Sequence, residues 1–458
     1  MHRLNLVVVG VVCLASVSLV ALTRPEDRSS VRSPVKGWWQ SRGRQDAMRG
    51  QGERRLAAAM PTRQAPSART LPKESAEGKK LFESETFGGN GRTCQTCHSR
   101  ETGTVSPADA ARRFALDPLD PLFLHDGSDD EYGDGFGDGG PVTRMLDSAT
   151  ILMRIPLHPD VSVKDHPEIT EVTVRRGIPT TLNTPALDPV LMLDGRQPTL
   201  QAQALGAITQ HAQGTRAVTG RELDLLAQFQ KTPQFFSSPA LLAFFASSGR
   251  QAPQLPQGQT DAERRGRIFF DDLPPDFSVN PPNFKPGACA ACHSGPMLNQ
   301  TNEFLPVAVP AGTRFQSVLV SEFNDARNPA ITFVFRNQAH DLDPATNRDG
   351  SADGIIEVTS PDPGRALITG RADDFFPFPP GSFDHLNAFK IPPLWGVRDT
   401  APYFHDNSAK TLEDVVDHYR RFFLVVSDPD GPDKEQDPLI VLTPQDMSDI
   451  VAYLKLLR

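Results

Sequence analysis

Two short motifs carry the chemistry of this 458-residue chain: Cys94-Gln95-Thr96-Cys97-His98 and Cys289-Ala290-Ala291-Cys292-His293. Two thiols at this spacing can both reach the vinyl groups of one haem, and the histidine that follows then sits under the iron as proximal ligand. Zinc, a redox CxxC pair and structural disulfides are the other chemistries open to paired cysteines. Zinc would need the two motifs brought together across residues 99–288, and it gives no reason for a histidine after each. A redox pair gives no reason for a second copy. The spacing therefore predicts two covalently bound haem c groups, with His98 and His293 as iron ligands. The fifth cysteine, Cys13, lies in the N-terminal segment.

That segment explains where such a chain would mature. Met1-His2-Arg3 is followed by an uncharged stretch from Leu4 to Leu22. At nineteen residues its length is ambiguous between a cleaved signal peptide, whose apolar part runs ~7–15 residues, and an uncleaved anchor, which needs ~20. Both readings predict export, and covalent haem attachment takes place after export in bacteria, so the expected location is the periplasm. Residues 24–72 are rich in Arg, Ser, Gln and Pro without apolar periodicity and read as a disordered tether. Residues 1–72 hold 12 Lys and Arg against 4 Asp and Glu, and the remainder 35 against 52. An acidic body argues against nucleic acid as a partner. The basic tether suits an anionic membrane surface as well as a plain spacer.

Hydrophobic content of 38% and charged content of 22% describe an ordinary globular chain, while 42 Pro and 34 Gly predict long connections between modest helices. Helical spacing marks Ala76–Phe82, Leu200–Ile208 and Glu222–Phe229. Thr443-Pro444-Gln445-Asp446 supplies an N-cap, a Pro at the first helical position and an acid three residues after the cap. Met447, Ile450, Val451, Leu454 and Leu457 then share a face. Thr411 and Asp414 open a similar helix with an apolar stripe of Leu412, Val415, Val416 and Tyr419, which leaves His418 pointing elsewhere. On spacing alone Tyr419 is a core residue. Runs such as Ser317–Val320 and Ile331–Phe335 suggest strands. The acidic, Gly-rich stretch 125–140 reads as a solvated loop or a calcium site. Residues 347–354 resemble a calcium loop that lacks the Glu at its twelfth position. The Pro/Gln-rich stretch 251–260 is the expected boundary between domains at 73–250 and 251–458.

Over residues 73–458 the chain resembles the bacterial dihaem cytochrome c peroxidase and MauG family. The match runs through Glu77-Gly78-Lys79-Lys80-Leu81-Phe82 before the first haem motif and through Arg176-Gly177-Ile178-Pro179-Thr180-Thr181-Leu182-Asn183. It continues with Asp194-Gly195-Arg196 followed by Leu200 and Gln203, then Cys292-His293-Ser294-Gly295-Pro296. Thr400-Ala401-Pro402-Tyr403-Phe404-His405-Asp406 with Thr411-Leu412-Glu413 is the most specific stretch. The resemblance implies a mainly α fold of two cytochrome-c-like haem domains, with a few β-strands inserted in the second.

The resemblance also implies site roles. Tyr419 falls fourteen residues after His405, where the family places a Met or Tyr ligand to the second haem. A phenolate ligand would lower that haem's potential relative to a His/Met site. Thr400 and Pro402 match backbone ligands of a calcium ion between the haems, and Gln203 matches a distal-pocket Gln. Three departures stand out. Leu193 replaces the Trp that bridges the haems, Gly177 replaces the Asn that supplies calcium's side-chain ligand, and Gln213 falls where the catalytic Glu would be. An amide cannot move a peroxide proton. His211, two residues earlier, is the candidate replacement, with a surface histidine as its bland alternative. The expected function is a periplasmic dihaem oxidoreductase that activates peroxide or dioxygen at the first haem, with a periplasmic electron donor or protein substrate as partner. A non-enzymatic dihaem electron carrier is the alternative.

Overall fold

In a computed structural model of the chain, the described residues are 71–129, 141–304, 309–323, 328–338, 354–372, 385–426 and 440–458. The expected signal or anchor, all but the end of the tether, and residues 130–140 and 347–353 of the two acidic loops lie outside them. The chain divides into Met1–Leu71 and Pro72–Arg458, and the second unit is the one described below. Among the described residues no helix is long and apolar enough to cross a membrane.

The mainly helical class with small antiparallel sheets is borne out. The helices that matter for the site are α1 (Leu71–Ser84), α2 (Leu200–Gln210), α3 (Gly220–Phe229), α4 (Asp261–Arg267), α5 (Leu412–Val426) and α6 (Pro444–Leu454). Local chemistry fixes their starts. Thr199 Oγ1 accepts from Ala202 N to begin α2. At α5, Asp414 N donates to Thr411 Oγ1 at 3.1 Å while Thr411 N donates to Asp414 Oδ2 at 2.9 Å. Thr443 and Asp446 make the same reciprocal pair at α6. These caps satisfy amides that have no partner within the first helical turn. The expected apolar faces follow: Leu412 and Val416 are buried on α5, and Ile450, Val451 and Leu454 on α6. Together with Leu241, Phe269, Trp395 and Leu457 they form one core.

The strands are β1 (Thr150–Pro156), β2 (Val161–Val163), β3 (Glu171–Gly177), β4 (Phe315–Gln316), β5 (Ile331–Phe335), β6 (Ile356–Ser360) and β7 (Phe389–Lys390). They are more widely distributed than the sequence suggests, because β1–β3 precede residue 250 and β2 pairs antiparallel with β5. Side chains from both ends of the chain, Met145, Ile155 and Val174 with Phe333, Phe335 and Leu367, consequently share a second core. The strand expected at Ser317–Val320 is absent. Leu319 takes a left-handed φ of 59°, and a single helical turn begins at Val320. A run of Ser, Val, Leu and Val does not make a strand without a pairing edge.

Pairing of β1 with β3 sets Thr150 opposite Gly177 and Ile151 opposite Arg176. Alternation on β3 turns Val172, Val174 and Arg176 inward. Arg176 is buried to 1% exposure. Its Nε and Nη2 donate to Asp362 at 2.7 and 2.8 Å, and its Nη1 donates to Asp194 at 2.5 Å. Arg196 Nη1 adds bonds of 2.9 and 2.8 Å to Asp194. This network ties β3 to the segment that leads into α2, and α2 forms one wall of the site.

Candidate functional site

The first motif forms a single helical turn, Cys94–Cys97, opened by a 2.9 Å bond from Thr93 N to Thr96 Oγ1. His98 closes it. Its Nδ1 lies 2.8 Å from Gly103 O, and since a carbonyl only accepts, the proton is on Nδ1 and Nε2 keeps its lone pair. The second motif repeats the device, with His293 Nδ1 2.9 Å from Leu298 O. Burial pushes both imidazoles down, His293 to about 4, so each stays neutral and available as a donor to a metal. A ring nitrogen tied to a backbone carbonyl is the usual orienting partner of a metal-bound histidine. Behind His98 stands an edge-to-face cluster of Phe82, Phe229 and Phe235, with ring centroids 5.2–5.5 Å apart. Phe82 on α1 is 6.5 Å from the imidazole.

All four motif cysteines are unpaired thiols. Burial raises Cys94, Cys289 and Cys292 to about 12 and Cys97 to about 11. Among the described residues no group of three or more His, Cys, Asp or Glu side chains could hold a metal ion, so the two motifs do not converge on one zinc. Each stands at its own place, as separate haem attachment sites require.

Cys94, Cys97 and His98 open onto a cleft of about 170 Å3 with largely apolar walls. Gln203, Gln210 and His211, from α2 and its C-terminal cap, also line it. No hydrogen-bond partner reaches the Gln203 carboxamide among the described residues, and the buried Gln210 Nε2 has none either. Gln203 and Gln210 share a helical face, so two free amides face one cavity. Sequence reasoning missed Gln210, although its spacing from Gln203 was readable. Arg176, Arg196 and Lys390 add cationic groups to the lining. Burial lowers Lys390, against the pull of Asp188 at 3.4 Å.

The structure separates His211 from Gln213. Gln213 is exposed with a left-handed φ of 48°, and its Nε2 donates to Asp126 O at 3.2 Å, so it is not part of the cleft. His211 is. Its Nδ1 bonds Asp129 Oδ1, and it lines the same cleft as His98. It is therefore not a free surface histidine. Asp129 was also unforeseen. The stretch expected as a solvated loop is buried at Ser128 and Asp129, because Arg92 Nη1 lies 2.6 Å from Asp129 Oδ2 and 2.5 Å from Ser128 Oγ.

Tyr419 sits among Phe404, Phe422 and Phe423. Burial pushes its phenol up, and Cys292 and Cys289 push it further; Tyr419 and Cys289 pack against the same core. No hydrogen-bond partner meets that hydroxyl among the described residues. His418 turns away, with its Nε2 2.8 Å from Val318 O. Leu193 lines the cleft and accepts from Lys390 N at 2.7 Å. Thr400 and Pro402 lie in the turn before Tyr403, where Thr400 Oγ1 donates to Val397 O at 3.2 Å. A Cβ on Gly177 would run into Asn407 Oδ1. Asn407 Nδ2 donates to Ser148 O and Ala149 O at 2.8 and 3.1 Å, and no donor among the described residues reaches its Oδ1.

No protein-family model matches the chain, and no curated protein does. Several solved structures are similar. One is a MauG-like protein associated with microbial copper homeostasis, at 20% identity and TM-score 0.43, covering 87% of this chain and 94% of that one. Another is the dihaem peroxidase BthA from Burkholderia thailandensis E264, at 16% identity and TM-score 0.39, covering 84% and 86%. A third is hydrazine synthase from Kuenenia stuttgartiensis, at 15% identity and TM-score 0.35, covering 84% and 87%.

Proposed function

We propose that this chain is an exported dihaem c-type cytochrome, an oxidoreductase of the dihaem cytochrome c peroxidase and MauG type. Its reaction with peroxide or dioxygen would take place in the cleft beside His98. The observation that carries this reading is the cleft itself, which unites a paired-thiol motif, an oriented neutral imidazole, two unpartnered amides and a carboxylate-bound histidine. The residues fit haem at both places. Cys94 and Cys97 would hold one group and Cys289 and Cys292 the other, with His98 and His293 as proximal ligands. Tyr419, with its unpartnered hydroxyl, would be the second ligand at the latter. Arg176, Arg196 and Lys390 suit the haem carboxylates. A calcium ion would be held by the carbonyls of Thr400 and Pro402, with Asn407 Oδ1 supplying the oxygen that position 177 lacks.

Haem, once bound, supplies the open iron position and the electrons for O–O cleavage. The chain does the rest. His211 Nε2 would take the proton from one peroxide oxygen and return it to the other, which leaves as water, and two electrons from the donor with two protons convert the remaining oxygen to a second water. The Gln203 and Gln210 carboxamides hold the oxidant by hydrogen bonds, and the apolar walls exclude competing water. Reducing equivalents come from a periplasmic electron donor or a protein substrate.

The mature holoprotein is expected to gain the mass of two haems, give a pyridine haemochrome spectrum and consume peroxide with a rapid Soret change on stopped-flow mixing. Two haems that stay inert to peroxide and dioxygen would leave an electron carrier and end the enzymatic reading. At the second site, Tyr419→Phe is expected to raise the haem potential by on the order of 0.1 V, within the about 0.8 V that axial ligation spans. Spectroelectrochemistry reads this directly, and an unmoved potential removes Tyr419 from the ligands.

A further inference from the structure

Asp129 is held more firmly than its Asp- and Gly-rich sequence context suggests. Its carbonyl accepts from Leu152 N on β1 at 2.9 Å and from Arg144 Nη2 at 3.0 Å. One carboxylate oxygen bonds His211 Nδ1, and the other lies 2.6 Å from Arg92 Nη1. The Arg92 and Asp129 side chains are each 3% exposed. Arg92 is itself fixed, donating from Nε to Pro121 O at 2.8 Å and from Nη1 to His211 O at 3.2 Å. Asn90 Nδ2 donates to the same His211 carbonyl at 3.0 Å and to Asp126 Oδ2 at 2.8 Å. The backbone and ring of His211 are thus clamped by residues 80 or more positions away. The charged and titratable groups around the ring are Asp129 and Arg92, with Asp126 behind Asn90 and His98 in the same cleft.

A carboxylate only accepts, so a neutral His211 bonded to Asp129 carries its proton on Nδ1 and its lone pair on Nε2. We infer that Asp129 is the positioning residue for proton transfer in this cleft. It fixes the tautomer and ring orientation of His211 so that Nε2 meets the incoming oxidant, and Arg92 holds Asp129 in place. This rests on the proposed function above and adds to it the residue through which His211 works. A buried ion pair that merely fastened the loop to β1 would not require the carboxylate to face the one histidine in the cleft's α2 wall.

Cyanide tests this without turnover. Hydrogen cyanide must give its proton to a base before the anion binds ferric haem, so its association rate, followed by the Soret shift over the neutral range, reports His211. In the holoprotein, Asp129→Asn is expected to slow association about 10–100-fold, as loss of an orienting partner does, and to flatten the pH profile. His211→Ala is expected to slow it at least as much, and the double variant no further than His211→Ala alone, because the two residues act as a unit. Added imidazole should rescue His211→Ala but not Asp129→Asn. If Asp129→Asn does not fold, Asp129→Glu keeps the charge while displacing the ring by one methylene, and its pH profile must shift. Wild-type rates and profile in either folded Asp129 variant, or effects of Asp129→Asn and His211→Ala that add, would overturn the inference. Slow cyanide binding in His211→Ala with normal binding in Asp129→Asn defeats the positioning role and leaves the proposed function intact. Normal cyanide and peroxide kinetics in His211→Ala defeat both.

Discussion

His211→Ala is expected to slow the reaction with peroxide by about 10²–10⁴-fold, the range over which a positioned acid–base group acts. The cleft needs a group that both accepts and returns a proton, and the polar side chains that α2 and its C-cap turn toward it are the amides of Gln203 and Gln210 and the imidazole of His211. Amides hold a substrate but do not exchange protons near neutral pH. Gln213 is turned out of the cleft altogether. His211→Gln is the sharper variant, since it keeps volume and hydrogen-bonding capacity while removing the basic nitrogen. Stopped-flow rates should fall by a similar factor in both, while the haem content and the potential of the second haem stay at their wild-type values. Unchanged rates would show that the proton is carried by solvent or by a residue outside α2.

Much of this arrangement was legible from local signals. The CxxCH pairs, the capping residues Thr411, Asp414, Thr443 and Asp446, and the apolar spacing of Leu200–Ile208 depend on neighbours within one or two turns, and they appear where the spacing puts them. What was not legible depends on partners far along the chain. Asp129 sits in a run of Asp and Gly that looks solvated, and its burial is decided by Arg92 and by β1. Thr150–Pro156 is a short apolar run that periodicity alone cannot assign to strand or helix; pairing with Glu171–Gly177 decides it. Ser317–Val320 has strand-like composition but no edge to pair with, and it turns instead. Gly177 looks like a lost ligand until Asn407 is seen to occupy its space. The chemistry-bearing residues were therefore readable where one helix or one motif carries them. The residues that position them belong to the tertiary structure.

The residue of largest consequence for stability makes the same point. Asp362→Asn is expected to destabilise the holoprotein by about 3–5 kcal/mol, the cost of breaking a buried charge pair by removing one partner. Asp362 takes two hydrogen bonds from Arg176, which is otherwise held by Asp194, and all three side chains are 1% exposed or less. Burial alone would raise the Asp362 and Asp194 carboxyls. The Arg176 guanidinium outweighs it and holds both below the usual carboxylate range. Groups depressed in this way stabilise the fold above their unfolded pKa values, and that contribution is lost as pH falls through the folded ones. Urea unfolding should therefore show wild-type stability dropping steeply in acid, with Asp362→Asn weaker at neutral pH and less sensitive to acidification. Because Arg176 also lines the cleft, the variant should loosen the wall that α2 and β3 share and slow peroxide consumption together with the loss of stability. A neutral-pH stability within 1 kcal/mol of wild type, about the median effect of a point mutation, would mean that the network is relieved by solvent and does not hold the cleft together.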